Sequence, residues 1–162
     1  MEFSGYMTIE GEVQGVIEGS SIRKAREKTI ELFSYSHEVK LPTNLHANMG
    51  NGPVVHQPIS ILKELDKSTP KLYRALVEKE CLSTVVLEWF RYTDQGQELV
   101  YFRIELTNAH IISLSPWTPS VENSEKEYLR FMENVSLVYE GITWSWGPDG
   151  DITYQTNWRG DR

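Results

Sequence analysis

The features that mark disulfide-bonded, membrane-spanning and nucleic-acid-binding proteins are missing from this sequence. Cys81 is the only cysteine among 162 residues, so no disulfide can form within the chain. No apolar run is long enough to span a bilayer, and the N-terminus lacks the basic-then-apolar order of a secretory signal. Basic residues number 16 against 23 acidic ones, giving a net charge of −7. We therefore expect no nucleic acid as a partner and no membrane insertion.

Catalytic and metal-binding motifs are also missing. The chain has no Gly-x-Ser-x-Gly elbow, no glycine-rich phosphate loop and no HExxH or CxxC spacing. Its four histidines occupy separate segments and are interpreted as structural or surface residues: His37, His46, His56 and His110. Cys81 is interpreted as a buried structural thiol. We therefore expect no catalytic residue, no metal and no cofactor, and predict that the protein is not an enzyme.

Alternating apolar and polar residues make β-strands the dominant prediction. Leu99–Thr107 alternates cleanly, and Asp94–Gln97 supplies the turn of a hairpin with the preceding strand Val85–Tyr92. Two further period-2 sets begin at Phe33 and Ile59. They comprise Phe33, Tyr35, His37, Val39 and Leu41, and then Ile59, Ile61 and Leu65.

Two places depart from burial on one side of a strand. Between Thr84 and Tyr92, Val85, Leu87 and Trp89 point to one face, whereas Val86, Phe90 and Tyr92 point to the other. A strand that is apolar on both faces needs a second cover, supplied by a helix or by another subunit. Further on, the apolar phase reverses at Glu140-Gly141, which predicts a bulge or sharp bend of the kind that turns a barrel corner.

One helix is predicted after Ser68-Thr69-Pro70. Pro70 suits the first turn, and Thr69 is the predicted N-cap, so Thr69→Ala should cost about 1 kcal/mol of helix stability. The apolar stripe is Leu72, Tyr73, Leu76, Val77 and Cys81. Together with the strands, this predicts a mainly β fold: a two-sheet squat β-barrel with one α-helix packed on the outside, in a single domain over 1–162. A jelly roll or an immunoglobulin-like sandwich is the alternative.

Four stretches resemble the Hcp family, the haemolysin co-regulated proteins of bacterial type VI secretion. They follow the family's order along nearly the whole chain. They are Tyr6–Gly15, Ile59–Leu72, Glu133–Tyr139 with Ile142-Thr143-Trp144, and Trp158-Arg159. The polar, aperiodic segment Pro42–Pro53 matches in place the extended loop of that family.

The resemblance implies a structural tube protein that forms stacked hexameric rings and carries effector proteins. Its implied partners are further copies of itself and the sheath, spike and effector proteins of the system. Synthesis would be cytoplasmic, with export to the extracellular space or a target cell without a cleaved signal. Because the chain ends at Arg162, we expect no added toxin domain. The predicted ring-stacking loop comprises Asn44, Leu45, His46, Asn48, Met49 and Asn51.

Two other classes remain open. A carbohydrate-binding β-sandwich without catalysis would use exposed tryptophans such as Trp144, Trp146 and Trp158, although the alternating pair Trp144 and Trp146 favours a core face. A small hydrolase built on the barrel would need a concave site with perturbed carboxylates or histidines.

Overall fold

The structure is a computed structural model and describes residues 4–44, 49–50, 52–120 and 131–158. Within these residues the chain is mainly strand, with one short helix, as the alternation predicts. The elements are β1 (Ser4–Gly11), β2 (Gly15–Ile17), β3 (Ile30–Leu32), β4 (Ser34–Ser36), β5 (Val39–Lys40), β6 (Thr43–Asn44), β7 (Met49–Gly50), β8 (Val55–His56), β9 (Ile59–Glu64), α1 (Thr69–Val77), β10 (Leu82–Tyr92), β11 (Glu98–Trp117), β12 (Met132–Val138), β13 (Gly141–Trp146) and β14 (Ile152–Asn157).

Strand β11 organises the sheets because it is 20 residues long and belongs to both of them. Its first half lies between β10 and β13, which gives the antiparallel order β2-β1-β10-β11-β13-β14. Its second half pairs with β12, which leads on to β9 and β4. The predicted hairpin between β10 and β11 is confirmed, and it turns at Gly96 with φ of 77°. Glycine adopts this left-handed conformation without steric cost.

The barrel is completed by a crossing segment rather than by a ladder between edge strands. β3 pairs with β1, whereas β4, one residue further on, pairs with β9. Phe33 joins the two strands, and its N–H donates to the Leu62 carbonyl at 2.8 Å. The predicted barrel class is therefore confirmed, although hydrogen bonds between the described residues do not close the sheet.

A sharp bend produces the predicted corner at Glu140-Gly141. The pairs Thr107↔Gly141 and His110↔Val138 are separated by equal numbers of residues on both strands, so no residue is inserted between them. The reversal of the apolar phase instead reflects a bend that the two paired strands share. At this bend Asn108 of β11 has a φ of 50°. Asparagine tolerates this left-handed conformation better than most residues. Of the two predicted forms, the bend is the one observed.

The inward faces of the strands supply one apolar core. The fully buried members include Met7, Ile9, Ile59, Ile61, Val85, Leu87, Ile104, Leu106, Val135, Leu137 and Ile142. The period-2 set beginning at Phe33 is only partly correct, because Tyr35 packs against the core while Phe33, Val39 and Leu41 are exposed. The chain crosses between sheets at Phe33 and then leaves the barrel after Ser36, which ends the alternation. Leu65 likewise falls outside β9.

The helix contacts β11 and buries Leu72 and Ala75 within the same core. The predicted N-cap is wrong by one residue, since Ser68 occupies that position and Thr69 is the first helical residue. Pro70 lies in the first turn as predicted. Val77 is 76% exposed, so it does not belong to the buried stripe. Within the described residues no helix is long and apolar enough to cross a bilayer.

A buried ion pair explains why the Thr69 hydroxyl does not cap the helix. Lys63 of β9 lies directly opposite Glu133 of β12, and both side chains are fully buried with Nζ 2.8 Å from Oε2. The Thr69 hydroxyl donates to the same Glu133 oxygen at 3.1 Å and accepts from Lys63 at 3.2 Å. It also accepts from the Asp66 N–H at 3.1 Å. This network ties the start of the helix to two strands.

Candidate functional site

Two nested ladders form an arm, defined here as residues 39–56, that leaves the barrel between β4 and β9. At its base β5 pairs with β8, and further out β6 pairs with β7. The segment predicted as a loop is therefore partly a ribbon. Of the predicted stacking residues, Asn44 lies in β6 opposite Met49 in β7. Leu45, His46, Asn48 and Asn51 lie outside the described residues, so the assignment of all six to stacking stays a prediction.

The base of the arm is held to the barrel by one tyrosine hydroxyl. Tyr139, just beyond β12, places its Oη 2.6 Å from Nδ1 of His56 and 3.0 Å from Nε2 of His37. His37 precedes the arm and His56 belongs to its last strand. The Gln57 N–H also donates to the Glu38 carbonyl at 3.0 Å. We call the three side chains His37, His56 and Tyr139 the clasp.

Burial shifts all three pKa values of the clasp toward the neutral forms. Desolvation is the main cause of the lowered pKa values of His37 and His56. The same effect raises the pKa of Tyr139. The hydroxyl can donate one hydrogen bond, and a histidine nitrogen that accepts it must be unprotonated. The clasp is thus matched to uncharged histidines.

No local pattern predicts that His37 and His56 meet, since their shared partner Tyr139 is remote along the chain. His110 lies at the bend of β11 and lines a cavity that His56 and Tyr139 also line, whereas His46 falls outside the described residues. No group of three or more metal-ligating side chains converges within the part of the chain that the structure describes.

The outer face of β10 is covered largely by the chain itself. Residues 18–29, called the strap, place the Arg26 guanidinium 3.4 Å from the centre of the Phe90 ring and 5.0 Å from that of Tyr6. Arg26 also forms a two-pronged ion pair with Glu98, with both N···O distances 2.8 Å, and lowers the pKa of that carboxyl. The two-faced apolar strand is therefore present, but its Phe90 already has a cover within one protomer.

Exposed apolar side chains are present at both ends of the β2-to-β14 sheet, as they are at other places on the surface. We call the two ends the β2 edge, with Val13 at 70% and Val16 at 55% exposed, and the β14 edge, with Ile152 at 68% and Tyr154 at 64%. Within the described residues β14 has β13 as its one hydrogen-bonded neighbour. An exposed strand edge presents unpaired backbone groups and is a template for pairing with another chain.

Aromatic side chains line a cavity of about 420 Å³ on the inner side of this sheet. Its lining residues are Tyr35, Trp89, Tyr101, Phe102, Ile104 and Trp144. Trp144 packs against the core as predicted, whereas Trp146 is 42% exposed and contacts Tyr101 edge-on. The core-face interpretation therefore holds for one tryptophan of the alternating pair.

Comparison with known proteins gives a consistent result over nearly the whole chain. The family model described as "Type VI secretion system effector, Hcp" matches residues 6–146. The protein named "Major exported protein" of Pseudomonas aeruginosa is 27% identical over 168 residues, covering 98% of this chain and 97% of that protein.

Solved structures agree with the family match. A crystal structure of an Hcp protein superposes with a TM-score of 0.90 at 28% identity and covers 99% of this chain and 100% of its own. A double variant of Hcp1 from the E. coli EAEC 042 pathovar gives a TM-score of 0.83 at 29% identity, covering 95% and 97% of the two chains.

Proposed function

This chain belongs to the Hcp family of type VI secretion proteins, and on that premise we propose that it is a structural subunit of the secretion tube. It forms hexameric rings, and the rings stack. The observation that carries the proposal is the near-complete structural likeness to an Hcp protein, with a TM-score of 0.90.

The two exposed edges support ring formation. The β2 edge and the β14 edge are different surfaces at opposite ends of one sheet, and both expose apolar side chains. A contact between two different surfaces runs head to tail, and it closes into a ring when its rotation divides the circle. In the proposed ring, the β14 edge of one protomer therefore meets the β2 edge of the next.

The arm supports stacking because it projects from the barrel as a ribbon whose base is fixed by the clasp. Its exposed flanks carry Leu41 and Val54, which are 48% and 47% exposed. We assign stacking between rings to the outer part of this arm, including the six residues predicted from the sequence.

The remaining parts of the proposal follow from family membership. The chain acts without catalysis, folds as one unit over 1–162, and is exported through the contractile apparatus without a cleaved signal. Its partners are the sheath and spike proteins and the small effectors carried inside the ring. The Pseudomonas aeruginosa relative is named as an exported protein, which supports the export part.

Ring formation is tested with the purified full chain by light scattering and negative-stain imaging. The double substitution Ile152→Ser with Tyr154→Ser should lose the ring while keeping the fold, checked by circular dichroism. Ile112→Ser is the matched control, because Ile112 is 47% exposed but lies in the half of β11 that pairs with β12, not on either edge. Rings retained in the double variant would place the contact elsewhere, and a strictly monomeric wild type would overturn the proposal.

Stacking is tested by shortening the arm. Replacing residues 44–51 with a short turn should keep the barrel and the ring but abolish tubes, because the β5–β8 ladder and the clasp remain. Tubes formed by the shortened chain would contradict the assignment.

A further inference from the structure

A cavity of about 690 Å³ lies at the corner of the barrel, where β11 bends. We call it the corner pocket. Its lining includes Glu12, Cys81, Asn108, His110, Glu140 and Trp158. Backbone hydrogen bonds fix its frame: the Glu140 N–H donates to the carbonyls of Thr107 and Asn108, and the Trp158 N–H donates to the Glu140 carbonyl.

Two carboxylates converge on this pocket. The Asn108 Nδ2 donates to Glu140 Oε2 at 2.9 Å, and the Cys81 Sγ lies 3.7 Å from Asn108 Oδ1. Burial raises the pKa of the Cys81 thiol, and the nearby carboxylates of Glu12 and Glu140 raise it further. Both glutamates therefore surround the Cys81–Asn108 pair, and the thiol is suited to hydrogen bonding rather than to nucleophilic attack.

Among the described residues, no cationic side chain balances the negative charge of the corner pocket. Among the described residues that line it, none is lysine or arginine, and within the described part of the chain neither Glu12 nor Glu140 forms an ion pair. His56 also lines the pocket, and burial lowers its pKa, which favours the neutral form. The pocket consequently favours a positively charged ligand.

Trp158 adds a surface that suits the stem and head of such a ligand. Its side chain lines the pocket and is 51% exposed. An indole ring attracts ammonium and guanidinium groups through its negative face, and it packs against their aliphatic stems.

We propose that the corner pocket binds an organic cation, an ammonium or guanidinium group on an alkyl stem. The carboxylates of Glu12 and Glu140 accept its hydrogen bonds, and Trp158 covers it. The source is either a free polyamine or a lysine or arginine side chain of another protein. The site is formed by one chain, so the proposal goes beyond the tube function and does not depend on ring assembly.

Isothermal titration calorimetry on the full chain at neutral pH and physiological salt tests the proposal. Two probes separate the sources: spermidine for the free polyamine, and the capped peptide Gly-Arg-Gly for a protein side chain. Glu12→Gln and Glu140→Gln should each weaken the bound probe by about ten-fold, since each removes a charge-assisted hydrogen bond. Glu31→Gln, an exposed glutamate on β3 away from the pocket, should leave binding unchanged.

The aromatic contribution is tested by Trp158→Leu, which should weaken binding about three-fold. Glu12, Glu140 and Trp158 are all exposed, so we expect these variants to fold, and thermal melting checks this. Binding of either probe with loss in both glutamine variants supports the site and identifies its source. No heat from either probe at millimolar concentration, or equal binding by Glu12→Gln, Glu140→Gln and Glu31→Gln, overturns it.

Discussion

Two polar clusters hold this molecule together in different ways. The Lys63–Glu133 pair is fully buried and carries opposite formal charges, whereas the clasp of His37, His56 and Tyr139 is neutral and joins the barrel to the arm. In the first, Thr69 and Asp66 also bond the Lys63 ammonium. In the second, the Tyr139 hydroxyl lies within hydrogen-bond distance of both histidines.

The difference lies in what each cluster determines. Desolvating two charges is costly, so a buried pair adds little net stability but penalises any arrangement that separates its members. Lys63 and Glu133 therefore fix the register of β9 on β12 and the start of the helix. The clasp involves no buried charge, and it loses stability when its histidines become protonated. It fixes how the arm leaves the barrel under the conditions that keep its histidines neutral.

The largest effect is expected from breaking the buried pair. Glu133→Gln removes the nearer carboxylate of the Lys63 ammonium and leaves Asp66, 3.4 Å away, as its remaining acidic partner. The free energy of unfolding should fall by about 3 kcal/mol, the lower end of the cost of breaking a buried ion pair. Urea denaturation followed by circular dichroism measures this loss.

The control for this prediction removes both charges at once. Lys63→Met combined with Glu133→Leu should recover most of the lost stability, because no lysine is then left buried beside a neutral residue of β12. A Glu133→Gln variant as stable as wild type would mean that water or a rearrangement satisfies Lys63, and the comparison between the clusters would fail.

A smaller effect is expected from Tyr139→Phe, which removes only the hydroxyl of the clasp. The free energy of unfolding should fall by about 1 kcal/mol, the usual net worth of a hydrogen bond. Hydrogen exchange should accelerate at the Gln57 amide, which closes the arm base. Tyr35→Phe is the matched control, since within the described residues no hydrogen bond is made by that hydroxyl. Equal exchange in the two variants would show that the hydroxyl does not fix the arm.

The smallest expected effect concerns how stability depends on pH. The folded-state pKa values of His37 and His56 lie below the ordinary value of 6.5, so the unfolded chain binds their protons more readily. Their contribution to stability is therefore complete above about pH 6.5 and is lost as the pH falls through the depressed folded values. Denaturation at a series of pH values measures the slope. His37→Asn with His56→Asn should flatten it, and an unchanged slope would assign it to other groups.

Local patterns in the sequence predicted the barrel class, the hairpin at Gly96 and the corner at Glu140. Each depends on neighbours in the chain: alternation, a turn glycine, or a reversal of phase. The helix was also predictable from Pro70 and Leu72. The N-cap residue could not be predicted correctly, because the Thr69 hydroxyl bonds to Glu133, which is far away in sequence.

The missed features are long-range polar contacts. Lys63 continues the alternation of Ile59 and Ile61 along β9. Its position in this alternation was the one feature of the sequence that indicated a buried lysine. No local pattern brings His37, His56 and Tyr139 together. The cover over Phe90 was also missed, since the strap of residues 18–29 reaches it and places Arg26 where a helix or another subunit was expected.

Strand β11 has a mechanical consequence. Both sheets share its uninterrupted backbone, so a force that pulls them apart along the strand is borne by covalent bonds before it loads the ladders beside it. Paired strands separate when their rows of hydrogen bonds shear, whereas a continuous main chain cannot separate in this way. The protomer is thereby strengthened along the direction of β11.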